Sequence, residues 1–127
     1  METQIFSWRR TELKDEFVES FLKESNYMFS SRDLVVFLLR HQVLYKNQEI
    51  PLTNYEFNVL AYFLQHPRWV FTKNQILQIA GSEDPQDEDN AVRCLIAGIR
   101  KKLRKYTNKE YIQTVRGVGY RFVISEE

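Results

Sequence analysis

Two short strings constrain this chain more than any other feature. Thr53-Asn-Tyr-Glu56 and Thr72-Lys-Asn-Gln75 share the pattern Thr-x-x-Glu/Gln, and each opens onto an apolar run. In such a string the threonine hydroxyl accepts from the N–H three residues on. The Glu or Gln side chain reaches back to the threonine N–H, so each string marks a helix start. The first helix then carries Phe57, Leu60, Ala61 and Leu64 on one face and stops at Pro67, just after His66. The second ends at Gly81, a residue suited to a left-handed helix cap. GSEDPQDED follows as an acidic loop, and Asp89 or Asn90 can cap the third and longest helix, NAVRCLIAGIRKKLRKY, at about 89–105. Its acids come early and its Lys and Arg late, as the helix dipole favours.

The flanks of these three helices carry strand signals. LVVFLLRHQVLYKNQEIPLT is dominated by Val, Phe, Leu and Tyr, has Asn47 at a natural tight turn and ends at Pro51, so it predicts two or three short strands. IQTVRGVGYRF predicts a β-hairpin over residues 111–124, in which Gly117 and Gly119 can take positive φ at little steric cost. The expected fold class is α+β: a winged helix-turn-helix with an N-terminal antiparallel sheet, a three-helix core and a C-terminal β-hairpin wing. Ahead of it, TELKDEFVESFLKES places Leu13, Phe17, Val18, Phe21 and Leu22 at helical spacing, with Thr11 as a cap, and SNYMFSSRD reads as a loop. The expected organisation is a helical arm over 1–33 and a winged domain over 34–127.

A chain of 127 residues with 43% hydrophobic and 14% aromatic content can fill one good core. The formal net charge is only +1, so any basic surface must come from local clustering. A single cysteine, Cys94, excludes an internal disulfide and fits a reducing compartment. No apolar run approaches the ~20 residues of a membrane span, and METQIFSWRR lacks the apolar core of a secretory signal. A soluble cytoplasmic protein with no membrane partner is expected.

The third helix explains why the hairpin should be cationic. At ~100° per residue, Val92, Ile96, Ile99 and Leu103 fall within about 60° of arc and predict a buried stripe. Arg93, Ala97, Arg100 and Arg104 occupy a second stripe about a quarter turn away, extended by Lys101 and Lys105. A solvated helix face is the plain alternative. Against it stand the segregation of acids to the helix start and the small Ala97 among arginines, which lets a helix lie close in a major groove. Arg116 at the glycine turn can then reach the neighbouring minor groove or phosphates.

From Leu52 to Phe122 the chain resembles the winged-helix effector domain of OmpR/PhoB-type bacterial response regulators. The matching stretches are LTNYEFNVLAYFLQHP, TKNQIL, AVRCLIAGIRKKL and YIQTVRGVGYRF, and the last is the most specific. The resemblance implies sequence-specific transcription regulation, with the third helix as recognition helix and binding to tandem direct repeats. It also implies RNA polymerase contact through the loop between the second and third helices. Carried over by position, Arg100 matches a recognition-helix arginine, and Thr114 and Arg116 match wing positions that contact DNA. Asn90 and Arg93 stand where the family usually has Arg and Asp, and Leu95 replaces a common His. Ala97 and Gly98 replace frequent polar or basic residues, and Ala80 replaces a common Trp. The scaffold matches better than the reading head, so the family's usual sequence preference is not carried over. Gly98 is also expected to weaken the helix by up to ~1 kcal/mol. The candidate DNA-binding residues are Asn90, Arg93, Ala97, Arg100, Lys101, Arg104, Thr114 and Arg116.

About 33 residues precede the sheet, too few for a phospho-receiver of ~120 residues. Either the protein lacks a receiver or the chain is a piece of one that has it. The five apolar residues of the arm must pack on something. The sheet of the same chain and a second copy, giving a homodimer, are the two options. In the acidic loop, Glu83 and Asp84 are candidate polymerase contacts, and a solvated linker whose acids cap the third helix is the alternative. Cys94, His41 and His66 show no nucleophile–base or metal-ligand spacing. Catalysis, cofactor and metal are not expected; each histidine reads as a surface or boundary residue and Cys94 as a small packing residue. The main rival to DNA binding is a winged-helix protein-interaction module that has lost it.

Overall fold

The structure, a computed structural model, describes residues 28–82 and 87–123. The chain opens with four antiparallel strands, β1 (Met28–Ser31), β2 (Leu34–Phe37), β3 (Gln42–Tyr45) and β4 (Gln48–Glu49), laid side by side in that order. Leu34, Val36, Val43 and Tyr45 turn one face of this sheet into the core. The β3–β4 turn is the one expected at Asn47. Lys46 and Asn47 both take positive φ, 49° and 69°, which a two-residue hairpin needs to match strand twist.

The sheet begins earlier than the sequence suggests. SNYMFSSRD was expected to be a loop within the arm, yet Met28–Ser31 is a strand, paired with β2 from Met28↔Phe37 to Ser31↔Leu34. Its two serines carry little strand preference; cross-strand pairing, not local propensity, makes it a strand. The predicted helix at 11–25 lies outside the described residues.

Helix α1 (Asn54–Gln65) follows, then β5 (Val70–Thr72), α2 (Lys73–Ala80) and α3 (Glu88–Arg104). Both predicted capping boxes form, with both reciprocal hydrogen bonds present in each. Gly81 ends α2 at φ 95°, in the left-handed region its missing Cβ permits. The third helix is capped two to three residues earlier than expected. Asp87, not Asp89 or Asn90, is the N-cap, its carboxylate accepting from the Asn90 N–H at 3.3 Å. The hairpin consists of β6 (Ile112–Val115) and β7 (Gly119–Phe122), and β5 joins it to make a three-stranded sheet in the order β5-β7-β6. That third strand has no counterpart in the sequence reading. Three residues between two helices carry too little pattern, and β5 exists because β7 pairs with it.

The core runs through all three helices. Phe57, Leu60 and Leu64 of α1 meet Ile76, Leu77 and Ala80 of α2 and the Val92, Ile96, Ile99, Leu103 stripe of α3. Tyr111, Ile112 and Phe122 close it from the hairpin side.

Candidate nucleic-acid interface

The inner side of α3 is held by more than its apolar stripe. Glu56, the acid of the first capping box, is buried, and its Oε1 accepts from both the Thr53 N–H at 2.9 Å and Lys102 Nζ at 2.6 Å. Burial pushes the Glu56 carboxyl up. The Lys102 bond and charge and the Thr53 bonds outweigh that and leave it below its ordinary value. Gly98 lies directly opposite, where an added Cβ would sit 2.5 Å from Glu56 Oε2. The glycine therefore belongs to the packing of α3 on α1, and its place among the expected polar positions of a reading face is corrected accordingly. A methyl group there would displace a carboxylate already fixed at its other oxygen.

The outer side carries the predicted cations, with one exception. Arg93, Ala97, Lys101, Arg104 and Lys105 are exposed, and Asn90 is exposed in the first turn. Arg100 was expected on this free stripe. Instead it is only half-exposed and bends onto the hairpin. Its Nη2 donates to the Ile112 carbonyl at 2.9 Å and to Thr114 Oγ1 at 3.2 Å, with the guanidinium 5.9 Å from the centre of the Tyr120 ring. Arg100 and Thr114 thus join the helix to the wing. A shallow groove of about 700 Å³ runs along the outer side of α3, lined by Ala97, Arg100, Lys101, Arg104, Lys105 and Glu110. Arg104 approaches Glu110 at 3.6 Å, both well exposed, a pair worth little in water. Among the described residues no acid pairs with Arg93, Lys101, Lys105 or Arg116.

The two wing glycines do different work, and only one has the expected conformation. Gly117 has φ 76° and makes the turn. Gly119 is not in the left-handed region; a Cβ there would run into the Phe71 carbonyl of β5, so it is a point of close backbone approach. Arg116 is exposed at the tip beside Val118. Arg121 is a cross-strand residue, donating from Nε to Gln113 Oε1 at 2.7 Å, and does not belong to the cationic tip.

Two of the acids at the start of α3 reach across the surface to the second helix. Glu88 accepts from Asn74 at 3.0 Å, and Asp89 pairs with Lys73 at 3.0 Å. Glu83 and Asp84 lie outside the described residues. Cys94 is exposed, which corrects its reading as a packing residue. It is about 200° round the helix from both Val92 and Ile96. The Glu56–Lys102 pair and the Arg100 bridge went unforeseen. Their partners are 46 and 12 to 14 residues apart in sequence, and an unexplained helical glycine was the one available hint. No described helix is long and apolar enough to cross a membrane.

A two-helix unit followed by a three-stranded hairpin sheet, tied to its last helix by an arginine, is a winged helix-turn-helix. Residues 47–122 match the family described as "Transcriptional regulatory protein, C terminal", and the chain belongs to that OmpR/PhoB-type family. It is 34% identical over 89 residues to the two-component response regulator PhoP of Pseudomonas aeruginosa, covering 70% of this chain and 40% of that one. It is 33% identical over 82 residues to the phosphate regulon transcriptional regulatory protein PhoB of Escherichia coli, covering 65% and 36%. The chain thus spans well under half the length of these relatives. Among solved structures, the Klebsiella pneumoniae RstA DNA-binding domain in complex with the RstA box aligns at TM-score 0.65 and 25% identity, over 77% of this chain and 98% of that one. The response regulator DrrB of Thermotoga maritima aligns at TM-score 0.68 and 29% identity, over 84% and 49%.

Proposed function

We propose that this chain binds duplex DNA and regulates transcription in a sequence-specific manner, with α3 in the major groove and the β6–β7 wing on the adjacent minor groove or backbone. The observation that carries the reading is the Arg100 junction, which sets the wing beside the cationic side of α3. With a net charge of +1 the molecule as a whole gives DNA little attraction. One side bearing Arg93, Lys101, Lys105 and Arg116, without acidic partners among the described residues, does. The small, exposed Ala97 lowers the profile of α3 between its arginines. Arg93 is then the leading candidate for reading a base edge, and Arg116 for the minor groove. Tandem direct repeats as the target, and RNA polymerase at the loop containing Glu83 and Asp84, are further parts of the proposal supported by the family alone.

The test is binding to selected and to random duplexes at two salt concentrations. Affinity should fall steeply with salt. Arg93→Ala should cost ~1–3 kcal/mol on the selected site and relax its preference. Arg116→Ala should lower the salt slope by about one or, for minor-groove insertion, weaken binding to AT-rich flanks most. A flat salt response, with both variants binding like the parent, overturns the reading and leaves a protein-interaction module in its place.

A further inference from the structure

The N-terminal sheet carries an apolar patch on its second face as well. In most antiparallel sheets with one solvated face, the strands alternate apolar and polar residues. Strand β2 does not; Leu34-Val35-Val36-Phe37 is apolar throughout. Leu34 and Val36 fill the core. Val35 and Phe37 therefore project from the other side, as period-two alternation requires. On one side each, their directly opposed partners extend the patch: Phe37 pairs with Met28 of β1, and Val35 with Leu44 of β3, while Ser30 opposite Val35, Gln42 opposite Phe37 and Glu49 opposite Leu44 give it a polar border. Val35, Phe37 and Leu44 are half-buried, Met28 is 45% exposed, and none of them is among the side chains packed on the core.

We infer that this outer face of the sheet is a docking surface for the chain's own residues 11–25. Three observations select that occupant. The first is shape: a segment with Leu13, Phe17, Val18, Phe21 and Leu22 along one helical side would be about 22 Å long, enough to cross strands spaced ~4.8 Å apart. The second is charge. The segment holds five acids, Glu12, Asp15, Glu16, Glu19 and Glu24, against Lys14 and Lys23. The sheet presents cations at both ends of β2, with Arg32 in the β1–β2 turn and the Arg40 guanidinium 4.5 Å over the Phe37 ring. The third is tethering. Residues 26 and 27 join the segment to Met28 on that very face and span up to ~10 Å, so the segment stays beside the strand that follows it. So short a link gives it a local concentration that a second copy cannot match in dilute solution. The docked segment would make the unit self-contained, closing a face that otherwise invites association.

The inference does not depend on DNA binding, and its test does not use DNA. A nitroxide is attached to Glu19→Cys, on the polar side of the segment, in the full chain with Cys94→Ser. The Leu44 methyl resonances are the reporter, on the third strand and distant in sequence. They should lose most of their intensity to paramagnetic broadening. Phe17→Asp with Phe21→Asp in the labelled chain should restore them, while the Ile96 methyl signals of the core stay in place. Mixing nitroxide-bearing chains without isotope into isotope-labelled chains without nitroxide needs no packing variant, and it should leave Leu44 sharp. Broadening carried across that mixture assigns the face to a second copy and overturns the inference. So does the absence of broadening within one chain, or broadening that survives the double substitution.

Discussion

The two capping boxes are twins in backbone and strangers in surroundings. Thr53 and Thr72 have nearly the same dihedrals, φ −71° and −73° with ψ 166° in both, and the two reciprocal hydrogen bonds match at 2.9 and 3.2 Å. Gln75 makes no further hydrogen bond among the described residues, and its box is exposed. Glu56 is buried, receives Lys102 from the far end of α3 and occupies the space that Gly98 leaves. A local motif guarantees where a helix starts. It does not say whether the same side chain will also hold a distant element, because that depends on which face of the helix the third position occupies.

The largest expected effect follows from that asymmetry. Glu56→Ala removes the returning half of the capping box and leaves Lys102 without its partner, and should lower unfolding free energy by about 3 kcal/mol in denaturant titration. A loss no greater than that of Gln75→Ala would show the two boxes to be equivalent. Gly98→Ala sharpens the contrast through its sign. Helix propensity alone favours Ala by up to ~1 kcal/mol. With Glu56 in place the methyl group collides, and a loss of about 1–2 kcal/mol is expected. In the Glu56→Ala background the same change should become stabilising, and a double-mutant cycle reads this reversal directly. Thr72→Ala, at the exposed box, should cost about 1 kcal/mol and leave any DNA affinity unchanged once the protein is folded.

The smallest effect is on acid stability. The folded Glu56 carboxyl titrates below its ordinary value of 4.5. Its contribution is therefore fully present above the unfolded value and is lost as pH falls through the lower folded one. Melting temperatures between pH 5 and pH 3 should fall less steeply in Glu56→Gln than in the parent. Gln75, having no charge to lose, should give no such difference when replaced by Ala.

Much of the fold could be read from the sequence because it was written in local chemistry. Both boxes, the Gly81 cap, the Asn47 turn and the apolar stripe of α3 lie where their residue types place them. What stayed hidden depended on partners. Met28–Ser31 and Val70–Thr72 are strands only because β2 and β7 offer edges to them. The candidate site divides the same way. Arg93, Lys101, Arg104 and Arg116 are exposed as helical periodicity and turn position suggest. Arg100 shares that periodicity, but the Ile112 carbonyl and Thr114 hydroxyl within its reach draw it aside. Helical angle determines where a side chain leaves the backbone, and the length of an arginine leaves the rest to its neighbours.

The Arg100 bridge makes the head of this molecule a fixed-jaw calliper. A guanidinium that clasps β6 from α3, with Ile112 and Phe122 packed in the shared core, holds the opening between helix and wing before any duplex arrives. In the proposed complex, DNA of unsuitable groove width must itself deform or else unfasten Arg100, so a length becomes something the protein can measure. Lysine at this position would keep the charge but put a freely rotating ammonium, on a shorter side chain, where the fixed guanidinium Nη2 now meets both oxygens. The jaws would then be free to follow whatever they held.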